Sequence, residues 1–280
     1  MQNSDGHIRI TPTTPVIGAE VENFEMSGTM NQTQFDHIHD ALMTHQVLFF
    51  RDQEMTLEQH KEFARQFGDL HIHPGIPGPD GHPDVIQIHA DATSTRIAGE
   101  DWHSDVSCDD EPPMGSILHM HTVPESGGDT LFASMYAAYE ALSEPMQTML
   151  RGLTARHSGE AAYRGRYDYR DVDDTDYDYP NNDHPVVRTH PVTKRKGLFV
   201  NRIFTTHING VSAAESDALL QFLFNHIQKP EFQVRFRWQP GSVAFWDNRA
   251  VQHYAIWDYF PETRSGFRVT VAGDRPYSDR

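Results

Sequence analysis

The feature that most constrains this chain is a series of short apolar segments, too short for stable helices, that fills its second half. Segments 115–120, 186–189, 197–200, 232–238, 242–246, 251–256 and 267–272 are rich in β-branched and aromatic side chains and are separated by turn residues. Such residues suit a pleated, half-buried surface. A parallel sheet would need a helical crossover after each strand. With few helical patterns among these segments, a mainly β fold with flanking helices is expected, a sandwich or jelly roll.

Two helical patterns precede this series and two interrupt it. Over 31–45, Phe35, Ile38 and Leu42 share one helical face, and the apolar run 47–50 reads as a buried strand. Thr56 and Gln59 form a capping box ahead of a helix ending near Gly68. A third helix is expected over 134–150, broken at Ser143-Glu144-Pro145, and a fourth begins at Ser212 with Glu215 completing its capping box. Leu219, Phe222, Leu223 and His226 supply the face of that fourth helix, and Pro230 follows its end. No internal repeat or Gly/Ser linker divides the chain, so a single domain over 1–280 is expected. The segment 163–183 stands apart: six aspartates between Asp168 and Asp178 alternate with Tyr167, Tyr169, Tyr177 and Tyr179. It reads either as a solvated surface loop or as a lid or insert, spanning about 158–183, that closes over substrate.

Composition narrows the class of partner. A formal charge of −17 repels a polyanion, which argues against nucleic acid and leaves room for a small anion met by a local arginine. No apolar run approaches the roughly 20 residues of a membrane span. The opening residues lack the basic-then-apolar pattern of a secretory signal. Cys108 is the one cysteine, so no internal disulfide forms. A cytoplasmic location is the expectation. The 18 histidines mean only that candidate metal ligands are plentiful.

Among them, the WHSD segment stands out. On an extended strand, residues two apart point the same way. His103 and Asp105 can therefore present an imidazole nitrogen and a carboxylate oxygen to one ion, a pair suited to iron(II) once a second histidine completes a facial triad. His253 lies on a far strand, in NRAVQHYAIW, sharing a face with Val251 and Ala255. Taken alone it also fits a core histidine. In RSGFRVTVAG, Arg264, Arg268 and Thr270 fall on one parity, opposite Phe267, Val269 and Val271. These arginines either serve acidic neighbours on an outer face or point inward, where a buried guanidinium is costly unless an anion meets it.

WHSD, then PPMGSILHMHTVPESGGDTLFASMYAAYEAL, then WDNRAVQHY, then R-x-x-x-R before a closing strand resembles the taurine dioxygenase (TauD/TfdA-like) family of iron(II)- and 2-oxoglutarate-dependent dioxygenases. The resemblance runs from ITPTTPVIGAEV through HQVLFFRDQ and FGDLHIHP to AGDRPY, and fits poorly only around 90–100 and 163–183. It implies a double-stranded β-helix, a cupin-like jelly roll. It implies iron(II) on His103, Asp105 and His253, and 2-oxoglutarate held at its far carboxylate by Thr130 and Arg264. By the same resemblance, Arg268 and His73 meet the acidic group of the substrate and Phe204 forms an aromatic wall. Dioxygen is the third reactant, succinate and CO2 are the by-products, and the hydroxylated product is open to fragmentation.

Two positions depart from the taurine enzymes: Ile76 replaces a tyrosine and Gly99 an asparagine that touch substrate there. The departure argues against taurine itself while keeping an acid with a sulfonate, sulfate, phosphonate or carboxylate group, an aryloxyalkanoate included. A homo-oligomer, dimer or tetramer, is also expected. The rival readings are a non-catalytic jelly-roll binding protein and a zinc-dependent hydrolase on the same shell. A separate zinc site at His71/His73 or His119/His121 is a further alternative, and Cys108 reads as a small buried residue.

Overall fold

The computed structural model describes residues 7–166 and 173–279. Its largest sheet runs in the order β1 (Arg9–Pro12), β2 (Ala19–Glu22), β3 (Val47–Phe50), β13 (Ser242–Asp247), β5 (Gly115–Thr122), β15 (Arg264–Val271), β4 (Val85–Ala90). Pairing is antiparallel except between β2 and β3. A second sheet, β12 (Gln233–Phe236), β6 (Thr130–Ser134), β14 (Val251–Ala255), is antiparallel throughout. Beside these lie a three-stranded sheet, β11 (Thr205–Ile208), β7 (Thr154–Ser158), β8 (Asn181–Pro185), and a β9 (Val187–Thr189) with β10 (Lys196–Leu198) ribbon. The fold is mainly β, with a jelly-roll core.

Strand alternation sorts the side chains into layers. In β13, Val243 and Phe245 face one way and join a cluster with Ile38, Leu42 and Phe63 of α1 (Gln32–His45) and α2 (Leu57–Arg65). Ala244 and Trp246 face the other way, into the space between the two sheets, with Phe49 and Leu118 from the large sheet and Phe132, Phe236 and Val251 from the small one. The outer face of the small sheet is covered by α3 (Met135–Glu140), α4 (Glu144–Leu150) and α6 (Ala213–His226). Between the sheets the same parity places Ser116 and Leu118 of β5 opposite Thr270 and Arg268 of β15. The inward row of β15 therefore carries its arginine into the sandwich.

The helix signals act as expected. Both α2 and α6 carry capping boxes, Thr56 with Gln59 and Ser212 with Glu215, which satisfy backbone donors at helix starts. The chain breaks between α3 and α4 at Ser143, where Pro145 opens the new helix. One expectation is corrected: Phe222 of α6 is 44% exposed, whereas Leu223 and His226 are buried as expected, joined by Leu220 and Phe224. Local patterns did not predict β1, β2, β4, β6, β7, β8 or β11. β8 has the sequence NNDHP, with no strand propensity of its own, and is held by its pairing with β7. Of the suspected insert at 158–183, the described parts are α5 (Gly159–Tyr163), residues 164–166, 173–180 and the start of β8. Tyr167, Asp168 and Tyr169 lie outside the described residues.

Candidate active site

WHSD does not form a strand, which corrects the basis on which the metal pair was read. His103 makes an isolated bridge to His253, and the chain turns at Asp105. Val106 takes φ +48°, a left-handed conformation that is strained for a β-branched residue. The bridge nevertheless serves the purpose. His103 N–H donates to His253 O at 3.1 Å, and His253 N–H donates to His103 O at 2.9 Å, so the two histidine backbones are tied face to face. Their rings lie 4.1 Å apart between centroids. The turn brings Asp105 Oδ1 to 3.6 Å from His103 Nε2 and 3.8 Å from His253 Nε2. One ligand atom from each of the three lies within 4.8 Å of the others, and all three residues are buried. Among the described residues this is the one group of three or more such side chains gathered closely enough to hold a metal.

The surroundings prepare these groups as ligands. His103 Nδ1 lies 2.8 Å from the carbonyl of Asp101, a contact that requires the proton on Nδ1 and leaves the Nε2 lone pair toward the centre. Burial, with neighbouring His103 adding to it, holds His253 neutral far below the usual histidine range. Burial opposes the charge on Asp105, yet the Arg268 guanidinium beside it holds its carboxyl well below the usual carboxylate range. Ser116 Oγ–H donates to Asp105 Oδ2 at 2.7 Å, so Oδ2 is taken and Oδ1 faces the imidazoles. Asn248 fixes the turn from the other side: its Oδ1 accepts from Asp105 N–H at 3.2 Å and from Trp246 Nε1–H at 3.0 Å.

All ten residues singled out from the sequence line one pocket above this floor. Arg264 is fully buried, and its Nε donates to Gly128 O at 3.0 Å, with Nη2 3.5 Å from Thr130 Oγ1. Trp238 stacks over its guanidinium at 5.5 Å and donates to Thr130 Oγ1 at 2.9 Å. Among the described residues no carboxylate lies within ion-pair distance of Arg264. A buried cation without a counter-ion is costly, so this arrangement suits an incoming anion. Arg268 is different, because its Nη1 donates to Asp105 Oδ1. Its buried Nε has no hydrogen-bond partner. His73 Nδ1 accepts from the N–H groups of Gly75 and Ile76 at 3.0 and 2.9 Å, which puts the proton on Nε2. Ile76 is buried in the wall, and Phe204 packs edge-on against Tyr163 at 5.5 Å. Gly99 has φ +80°, and a Cβ there would lie 3.0 Å from His103 Cε1. A side chain at this position would therefore press on the metal-facing histidine.

Sequence reasoning passed over Ser116, Asn248, Arg96 and Arg166. Ser116 was legible in principle, since it shares strand parity with Leu118; the others lie on turns or loops where no period exists. The proposed zinc pairs are not assembled. His71 Nε2 lies 2.6 Å from Asp109, and His119 Nε2 lies 3.1 Å from Gln53 O. Cys108 is buried and burial raises its thiol pKa beyond the usual range, in keeping with a packing role.

The profile of the taurine catabolism dioxygenase TauD, TfdA family matches residues 9–270. A Schizosaccharomyces pombe protein is 39% identical over 259 residues, spanning 89% of this chain and 66% of its own length. An alpha-ketoglutarate-dependent (2-oxoglutarate-dependent) sulfate ester dioxygenase of Pseudomonas putida is 36% identical, over 95% of this chain and 90% of that one. The crystal structure of a taurine dioxygenase from Burkholderia xenovorans is similar with a TM-score of 0.84 at 36% identity, covering 97% and 93% of the two chains. The relatives named dioxygenases support the oxygenase reading and lend none to the binding-protein or zinc-hydrolase alternatives.

Proposed function

The chain belongs to the taurine catabolism dioxygenase TauD, TfdA family, and on that premise we propose that it hydroxylates a small organic acid with iron(II), 2-oxoglutarate and dioxygen. His103 Nε2, His253 Nε2 and Asp105 Oδ1 would hold the iron. The fit is chemical as well as spatial: two neutral imidazoles and one carboxylate oxygen form the facial set that suits iron(II) and leaves positions open. Iron(II) held there would supply the activation of dioxygen, one oxygen atom ending in succinate as 2-oxoglutarate loses CO2 and the other as the hydroxyl on a substrate carbon.

The protein's own share is placement, charge matching and exclusion of water. Arg264 and Thr130 bind the far carboxylate of 2-oxoglutarate, and Trp238 shields that contact from solvent. Arg268, through its unpartnered Nε–H, and His73, through Nε2–H, receive the acidic group of the substrate. Ile76, Phe204 and the open backbone at Gly99 shape a wall for an apolar body. The substrate is read as a sulfonate or sulfate ester, in line with the relatives' names; phosphonates and carboxylates share the same anchor chemistry. Hydroxylation of the carbon next to a sulfonate or sulfate ester group makes the product collapse to a carbonyl, releasing sulfite or sulfate.

We further infer one catalytic domain over 1–280 and a homo-oligomer, testable by light scattering. No helix among the described residues is long and apolar enough to cross a membrane. A cytoplasmic location is proposed on the strength of the lone buried thiol.

The observation that carries the function is the triad's convergence at the floor of a pocket that also holds a buried, counter-ion-free Arg264. The test is anaerobic titration of iron(II) and 2-oxoglutarate into the protein. A weak visible charge-transfer band is expected, absent in His103→Ala and in Asp105→Ala. Tight zinc binding with no spectral response to 2-oxoglutarate in the native chain would overturn the assignment.

A further inference from the structure

Charge in the pocket is one-sided. Arg264, Arg268, Arg96 and Arg166 line it, and among the described residues its one carboxylate is Asp105, which is committed to the floor. Arg264 and Arg268 are buried, whereas Arg96 and Arg166 are exposed at the opening. Arg96 Nη1 donates to the Arg166 carbonyl at 3.3 Å, which holds these two residues together. No carboxylate among the described residues pairs with Arg96, and Arg166 reaches Glu100 only at 3.9 Å with both side chains largely solvated. Much of the remaining lining is apolar, with Ile76, Ile97, Ala162 and Ile203 contributing no hydrogen-bonding side chain, and Tyr163 and His73 add polar but not anionic groups.

We propose that this outer arginine pair makes the pocket select substrates by the charge at their far end. An acid carrying a second anionic group is taken in preference to one with an uncharged end, and an ammonium end is disfavoured. The proposal rests on the reading above, in which the near acidic group sits at Arg268 and His73. Low-dielectric walls focus the field of the outer pair along the pocket, while nothing in the described lining offers an ammonium a carboxylate. Two arginines that were merely solvated surface residues would give no such order.

The test compares propane-1,3-disulfonate, butane-1-sulfonate and 3-aminopropane-1-sulfonate, which share one length and differ in the terminal group. Succinate release gives kcat/KM for the native chain and for the Arg96→Gln/Arg166→Gln variant. In the native chain each step of the series is expected to change kcat/KM by about fivefold, the size of an exposed charge pair. Both ratios should shrink toward one in the variant and in about 0.5 M salt. Reading ratios within each protein cancels any general loss of activity. Equal values for the three acids in the native chain, rejection of the disulfonate, or ratios that survive the double substitution would each overturn the proposal alone. Turnover of none of the three would instead overturn the sulfonate reading beneath it, and the proposal with it.

Discussion

At the floor of the pocket the functional side chains project from paired backbone. His253, Thr130, Ser116, Arg264 and Arg268 sit on β14, β6, β5 and β15, and His103 is stitched to β14 by two hydrogen bonds. At the rim, His73, Ile76, Gly99, Arg166 and Phe204 belong to turns and loops. The floor is where charge must be placed to within a fraction of an ångström, and ladder hydrogen bonds supply that rigidity. The rim needs only a shape and a sign, which loops can vary without disturbing the sandwich. Paired backbone thus carries most of the floor, with Asp105 on its turn the exception, and loops carry most of the surrounding wall.

The sharpest way to break this division is at Arg264. Arg264→Ala removes one partner of a buried charge-assisted contact, which is worth roughly 2–5 kcal/mol. Affinity for 2-oxoglutarate, measured by calorimetry on the iron(II)-loaded protein, is expected to fall on the order of a hundredfold or more. An unchanged affinity would detach Arg264 from the co-substrate. Next in size is Ser116→Ala, which frees Asp105 Oδ2 and loosens the carboxylate. Outer-shell changes of this kind cost about 10–100-fold in metal affinity. A metal competition assay that shows less than a twofold change (roughly the noise of a neutral surface substitution) would make Ser116 a packing residue only.

Gly99→Ala tests whether rim and floor are as separate as the strands suggest. The substitution imposes a Cβ on a left-handed backbone at 3.0 Å from the His103 ring, and should destabilise the fold by about 1–2 kcal/mol in urea unfolding. The ring has to give, so metal affinity should fall about tenfold as well, even though Gly99 carries no ligand. Loss of stability with metal affinity intact would show that the rim can be strained without touching the floor.

Most of the site was legible before any coordinates. The His-x-Asp spacing marks His103 and Asp105 and parity puts Arg264 and Arg268 on one strand face, but it is the family resemblance that joins His253 to the pair and turns the arginines inward. In WHSD a bridge at His103 and a turn at Asp105 do the work expected of a strand. Gly99 lines the pocket, and its close approach to the His103 ring is a second feature that local sequence does not reveal. Phe222 was assigned to the buried face of α6 because a helical stripe fixes its angular width only loosely, and neighbouring elements decide which edge of it is covered. β8 carried no local signal, because its conformation is imposed by β7.

By itself the sequence determined the class of fold, the identity of the charged and metal-seeking groups, and the faces on which strand residues lie, because alternation and residue chemistry are local properties. Only the tertiary structure decided that His103 and His253 share a bridge, that Ser116 and Asn248 grip Asp105, and that Arg96 and Arg166 stand together at the opening. Those contacts join residues far apart in the chain, and distance in sequence carries no information about distance in space until the sheets have packed.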